Sequence, residues 1–348
     1  MSDAPPLLGE RLARLIEEEG PISVARFMGE ANAAYYAAGD PMGVAGDFIT
    51  APEISQMFGE MIGLCLADLW QRAGRPQTYY VELGPGRGTL AADALRAMRP
   101  FGLTPPVHFV ETSPVLRAKQ AERVEDAAWH ESLATLPTDA PLLVVANEFF
   151  DALPIRQFVK TVAGWRERMV YFGPDGFVPV PGVVPCDALV PERLLGAEPG
   201  SIVEASPAIA VVAHDLARRI ATQGGAALIV DYGYADRAAG DTLQAVHAHA
   251  YADPFAMPGR SDLTAHIDFA ALGEAASTAQ VHGPVEQGAW LETLGMAARA
   301  RSLAIASPRH GEDIATAFRR LTHPDEMGTL FKVMALTAKH WPMPAGFD

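Results

Sequence analysis

The feature that most constrains this chain is a glycine run between an apolar stretch and an amphipathic one: Val81-Glu82-Leu83-Gly84-Pro85-Gly86-Arg87-Gly88-Thr89-Leu90. Thr78–Leu83 reads as a strand, and Thr89–Met98 as a helix with Leu90, Ala94, Leu95 and Met98 on one side. Glycines let the backbone turn sharply and admit a ligand against the main chain, while the helix start offers free amides. Nucleotide cofactors use such loops. The dinucleotide fingerprint is Gly-x-Gly-x-x-Gly, with an acid about 20 residues later on the ribose. Here Gly84, Gly86 and Gly88 alternate with other residues, and Glu82 stands two positions ahead of them. A carboxylate there suits a cofactor with cationic groups and no pyrophosphate. A dinucleotide site and a purely structural turn remain the alternatives.

The surrounding pattern predicts an α/β fold with a Rossmann-like sheet. Val107–Glu111, a short strand ending near His130, Leu142–Ala146, Ala226–Asp231 and Leu330–Leu336 are apolar runs, and Pro114–Val124 and Ser206–Thr222 are helical. Strands this apolar, separated by helices, argue for a parallel sheet covered on both faces. Arg156–Val183 alternates like twisted hairpins around Gly173-Pro174-Asp175-Gly176, and Ala289–Ala306 reads as one helix. Residues 7–40 look helical, with a stripe of Leu8, Leu12, Leu15 and Ile16 ended by Gly20-Pro21. The organisation expected is an N-terminal helical segment over residues 1–75 with a lid-like loop, then a core over 76–348 with an insertion at about 155–225.

Composition narrows the partners. Hydrophobic residues make up 49% of the 348, enough for a packed core. A net charge of −15 repels phosphate backbones and anionic membranes, so neither nucleic acid nor a membrane is an expected partner. Cys65 and Cys186 form no metal-type spacing, which fits a reducing interior. No apolar run approaches the roughly 20 residues that span a bilayer, and Met1–Gly9 lacks a secretory pattern. The expectation is a soluble cytoplasmic protein.

Other segments carry chemistry. Glu111, with Thr112 beside it, ends the second strand, where an acid can hold both ribose hydroxyls; Thr112 and Ser113 could instead cap the next helix. Ser132 and Leu133 follow the short strand ending near His130, and by position alone they are candidates to contact an adenine. Asn147-Glu148-Phe149-Phe150-Asp151 follows another strand, and carboxylates with aromatic faces suit a cationic nucleophile. In the bland alternative, Asp151 caps a helix and the phenylalanines are core. Thr50-Ala51-Pro52-Glu53 reads as a capping box. Asp47, Phe48, Thr50, Gln56 and Glu60 could form a lid or, equally, belong to a surface helix against another element, and the glycines Gly59 and Gly63 let something approach that helix closely. Asp231 and Tyr232 could shape an acceptor channel, while Asp262-Leu263-Thr264 reads as a helix start. His247 and His249 lack further ligands, so no metal is expected.

The glycine run resembles motif I of class I S-adenosylmethionine-dependent methyltransferases. Taken with Gly46–Glu60, Asn147–Pro154, Leu228–Gly233 and Gly328–Lys332, the whole chain resembles the MidA family. That family is represented in mitochondria by an assembly factor of respiratory complex I. The resemblance implies a class I methyltransferase core with extra helices, S-adenosyl-L-methionine as cofactor, and symmetric dimethylation of an arginine in a complex I subunit. By the same token Glu82, Gly84, Gly86, Gly88 and Glu111 would bind cofactor, and Asn147, Glu148 and Asp151 would border the methyl-transfer centre. Rival readings are a cofactor-binding assembly chaperone without catalysis and a nicotinamide oxidoreductase.

Overall fold

The computed structural model describes residues 7–39, 50–247 and 250–347; Asp47, Phe48 and His249 lie outside them. The chain forms two compact units. One comprises Met1–Phe48, Asp151–Ile209 and Asp236–His266, the other Ile49–Phe150, Ala210–Ala235 and Ile267–Asp348.

The second unit is built on one sheet. Its main strands are β1 (Tyr79–Leu83), β2 (Val107–Val110), β3 (Ala128–His130), β4 (Leu142–Asn147), β5 (Gly225–Tyr234), β6 (Gln280–Glu286) and β7 (Phe331–Thr337), in the order β6-β7-β5-β4-β1-β2-β3. Strands β1 to β5 run parallel, and β7 is antiparallel to both neighbours. All six residues of β4 are buried, as a central strand covered on both faces requires. The chain runs outward from β1 through β2 to β3, then returns to place β4 on the other side of β1. The strand order therefore reverses between β1 and β4, where such sheets bind ligands at their carboxyl ends.

Tyr80, Phe109, Val145, Leu228, Val230 and Val333 share a core with Met57, Phe58, Met61 and Leu66 of helix α1 (Gln56–Arg72). Helix α1 lies on α2 (Thr89–Met98), and here the two glycines find their reason. A Cβ on Gly63 would stand 2.4 Å from the Ala94 carbonyl oxygen, and one on Gly59 2.7 Å from the Asp93 Cβ. The approach that Gly59 and Gly63 permit is therefore that of α2.

The capping box does not form. Thr50 makes no side-chain cap bond; a four-residue turn, Ala51–Ile54, ends at Ser55, whose hydroxyl accepts from the Met57 amide at 3.2 Å. The helix expected over Ala289–Ala306 splits into Gln287–Thr293 and Met296–Ala306, because Gly295 takes φ 91° between them.

In the first unit, helices Leu8–Glu19 and Val24–Ala38 are separated at Gly20, and the Ser23 hydroxyl caps the second. The antiparallel sheet runs Ile22–Ser23, Gly164–Gly173, Arg156–Thr161, Ile202–Ala205, with Gly176–Pro185 joined across the expected turn. Asp262–Thr264 is a strand and not a helix start. Leu263 is held in the core by its flanking amides: its N–H donates to Asn32 Oδ1 at 3.0 Å and its carbonyl accepts from Asn32 Nδ2 at 2.7 Å.

Candidate active site

Gly84, Gly86 and Gly88 take φ values of 60°, 54° and 78°, a left-handed run that side chains with a Cβ resist. A Cβ on Gly84 would also lie 2.9 Å from the Phe149 ring. The loop thus wraps the end of β1 and delivers Gly88 as the cap of α2.

Glu82 points from β1 into the core face and is 3% exposed. Its Oε2 accepts from the Tyr80 hydroxyl at 2.7 Å. Burial pushes its pKa up to about 8, against the opposing pull of that hydrogen bond. Glu111 is also raised by burial, offset by donors: the Ser113 amide at 2.8 Å and Gln120 Nε2 at 3.2 Å, with the Thr112 amide assisting. Ser113 also caps the helix Pro114–Arg123, at 3.4 Å from the Leu116 amide.

Gln120 escaped the sequence reading, since a single glutamine in a helix gives no signal. It is fully buried and its amide is fully used. Nε2 donates to the Gly86 carbonyl at 2.7 Å as well as to Glu111, while Oε1 accepts from Trp129 Nε1 at 2.8 Å. One side chain thereby ties the glycine loop to the β2 carboxylate. Ser132 is exposed, and Leu133 offers its carbonyl to Arg219.

At the end of β4, Asn147 is buried and donates from Nδ2 to Glu148 Oε1 at 3.1 Å. Its Oδ1, also buried, has no hydrogen-bond partner among the described residues. Glu148 has φ 48°, a left-handed conformation costly for a residue with a side chain. Glu148 Oε1 additionally accepts from the Ala51 amide at 3.2 Å. Asp231, wholly buried, accepts from the Phe150 amide and from its neighbour Tyr232, each at 3.0 Å. It braces the loop after β4. The Tyr232 ring meets Phe331 at 5.4 Å.

Glu60 is engaged elsewhere. Arg299 donates to it bidentately at 2.7 and 2.8 Å, Arg96 at 3.1 Å and Gln56 at 3.3 Å. In the first unit, Asp151 is buried and its carbonyl accepts from the Ala265 amide at 3.0 Å. Tyr36, which the sequence reading passed over, donates to Asp262 at 2.9 Å. Burial, then Asp262 and Asp151, raise its phenol pKa.

Within the second unit, Glu82, the glycine loop, Glu111, Asn147 and Glu148 therefore gather at the carboxyl ends of β1, β2 and β4. The set offers acceptors, including the unsatisfied Asn147 oxygen, to a ligand that brings donors and positive charge. S-adenosyl-L-methionine has that chemistry: an ammonium, ribose hydroxyls and the sulfonium whose methyl it supplies.

Residues 61–285 match the family described as S-adenosyl-L-methionine-dependent methyltransferase, and the chain belongs to that family. It is an S-adenosylmethionine-dependent methyltransferase of the MidA type, as its motifs implied. Among its relatives, the mitochondrial protein arginine methyltransferase NDUFAF7 homolog of Drosophila melanogaster is 38% identical, over 94% of this chain and 84% of its own. The Homo sapiens mitochondrial protein arginine methyltransferase NDUFAF7 is 35% identical, over 92% and 81%. A Burkholderia thailandensis protein solved with S-adenosyl-homocysteine has a TM-score of 0.86 at 28% identity, covering 97% of this chain and 93% of that one. The fold is accordingly the class I methyltransferase fold.

The relatives correct one expectation. They are named as mitochondrial, which overturns the cytoplasmic placement. Sparse, unspaced cysteines report a reducing environment, and that property does not single out the cytoplasm. Among the described residues, no helix is long and apolar enough to cross a membrane.

Proposed function

We propose that the chain is a protein arginine methyltransferase that symmetrically dimethylates a guanidinium in a subunit of respiratory complex I and so supports its assembly. The names of its relatives support the acceptor class. The observation that carries the reading is the pair at the end of β4: a buried Asn147 oxygen without a partner beside a Glu148 carboxylate in a left-handed conformation. Strain of this kind is maintained where the surrounding structure has a use for it.

In this reading Glu82 meets the ammonium of the cofactor, the glycines 84, 86 and 88 line its methionine portion, and Glu111 with Thr112 takes the ribose. Ser132 and Leu133 flank the adenine. Asn147 and Glu148 orient the guanidinium through charge-assisted hydrogen bonds and take up its developing charge, the proton leaving late. Asp151, accompanied by Asp262 and Tyr36 in the first unit, has the proposed role of binding cationic substrate side chains. Thr50, Gln56 and Tyr232 keep proposed substrate-side roles. For Glu60 and Asp231 the hydrogen bonds favour a supporting one.

The experiment is methylation of purified complex I subunits by this chain, read as methylarginine by mass spectrometry, with S-adenosylhomocysteine affinity measured in parallel. Glu148→Gln is expected to lower product formation at least a hundredfold with affinity nearly unchanged. Equal product from Glu148→Gln would remove its role. Tight cofactor binding with no product on any subunit would favour the assembly chaperone.

A further inference from the structure

We propose that Tyr80 is a positioning residue for the amino-acid end of the cofactor: its hydroxyl holds the Glu82 carboxyl in place, and that carboxyl releases a proton to solvent when an ammonium group binds it. The inference rests on the reading that Glu82 meets the cofactor's ammonium.

Tyr80 and Glu82 are two positions apart on β1, so both project to the same face. Tyr80 is completely buried, and its hydroxyl lies 2.7 Å from Glu82 Oε2. The residues directly opposite Glu82 on the flanking strands are Phe109 of β2 and Val145 of β4. Neither carries charge. Farther along, Glu111 is occupied by Ser113 and Gln120, and Asn147 by Glu148. On the elements covering this face, Arg96 and Arg299 are committed to Glu60, and Glu53 to Thr89 with Arg87 at 3.9 Å. Among the described residues, none of these charges acts appreciably on Glu82; burial and the Tyr80 hydrogen bond alone shape its titration.

A carboxyl so buried and lacking a cation keeps its proton, and its pKa is pushed up to about 8. An arriving ammonium reverses that balance, because an adjacent opposite charge favours the ionised carboxylate. One positive charge enters and one proton leaves, so the net charge of the site is conserved. The Tyr80 hydroxyl, which donates to the ionised form, sets how readily the exchange occurs.

Calorimetric titration of the protein with S-adenosylhomocysteine, in buffers of different ionisation enthalpy, counts the protons directly. At pH 7 close to one proton is expected to be released. The affinity should rise roughly tenfold per pH unit below the pKa of about 8 and level off above it. Tyr80→Phe should move that bend to higher pH and weaken binding at pH 7 about tenfold. Methylthioadenosine, which lacks the amino-acid end, should bind both proteins equally and release no proton. Absence of proton release by the unaltered protein, an unmoved profile in Tyr80→Phe, or the same release with methylthioadenosine overturns the proposal. Glu82→Gln binding S-adenosylhomocysteine as tightly as the unaltered protein would overturn the underlying assignment of Glu82 instead.

Discussion

The hydroxyl of Thr89, the first residue of α2, donates to the Glu53 carboxylate at 2.6 Å. The turn Ala51–Ile54 is thereby held at two points, by the helix that follows the glycine loop and by Glu148 through the Ala51 amide. Arg123 completes the corner, donating to Thr89 Oγ1 and to the Arg87 carbonyl, each at 3.1 Å. Glu53→Ala removes the first tether. With a charge-assisted hydrogen bond worth about 1.5–3 kcal/mol, the melting temperature should fall by several degrees, and S-adenosylhomocysteine should bind more weakly by titration.

Gly63 has no room for a methyl group. Gly63→Ala forces its new carbon against the Ala94 backbone oxygen, Cα and carbonyl carbon at 2.4, 2.8 and 2.9 Å. Backbone on a packed helix yields poorly, so a loss of about 1–3 kcal/mol or more is expected in urea unfolding. A variant as stable as the original would show that α1 and α2 separate more easily than their contact implies.

Glu60 is a carboxylate whose arginines outweigh its burial: burial raises its pKa, but Arg299 and Arg96 bring the net value below the ordinary range. Its stabilisation is therefore present above the unfolded carboxylate pKa and fades as pH falls through the lower folded one. Removing one partner of such a pair costs about 3–5 kcal/mol when buried; with Arg299 partly exposed, Arg299→Ala should cost roughly half that. Thermal melts should show the deficit at pH 7 and convergence with the unaltered protein toward pH 3.

Glu82 behaves oppositely in the cofactor-free protein. Its folded pKa of about 8 lies above the ordinary 4.5, so its favourable contribution is complete below 4.5 and is lost as pH rises through about 8. Glu82→Gln lacks that penalty. Without cofactor it should be the more stable protein at pH 8 and above, by an amount on the order of a few kcal/mol, with the advantage shrinking toward pH 5. A variant less stable at every pH would contradict this account of the carboxyl. A stabilising change that damages binding is what a site built for a ligand predicts.

Much of the second unit is legible in the sequence. Runs such as Leu142–Ala146 and Ala226–Asp231 read as buried parallel strands, and Gly84, Gly86 and Gly88 as the loop that joins a strand to a helix, as the structure has them. The capping box does not form because local patterns compete with distant partners: the Thr89 hydroxyl donates to Glu53, and Ser55 does the capping. Asp262 starts no helix for a similar reason, since Asn32, far away in sequence, holds the Leu263 backbone extended.

What the sequence by itself determined was the periodicity of its elements, the glycine loop and the acid ahead of it, because these depend on neighbours a few residues apart. Only the tertiary structure decided what each polar side chain does. Glu60 is consumed by an arginine 239 positions away, Gln120 binds the loop to Glu111, and Asp231 braces the amide of Phe150. A buried charge or amide is governed by whichever partner the fold delivers to it, and that partner leaves no trace in the local pattern.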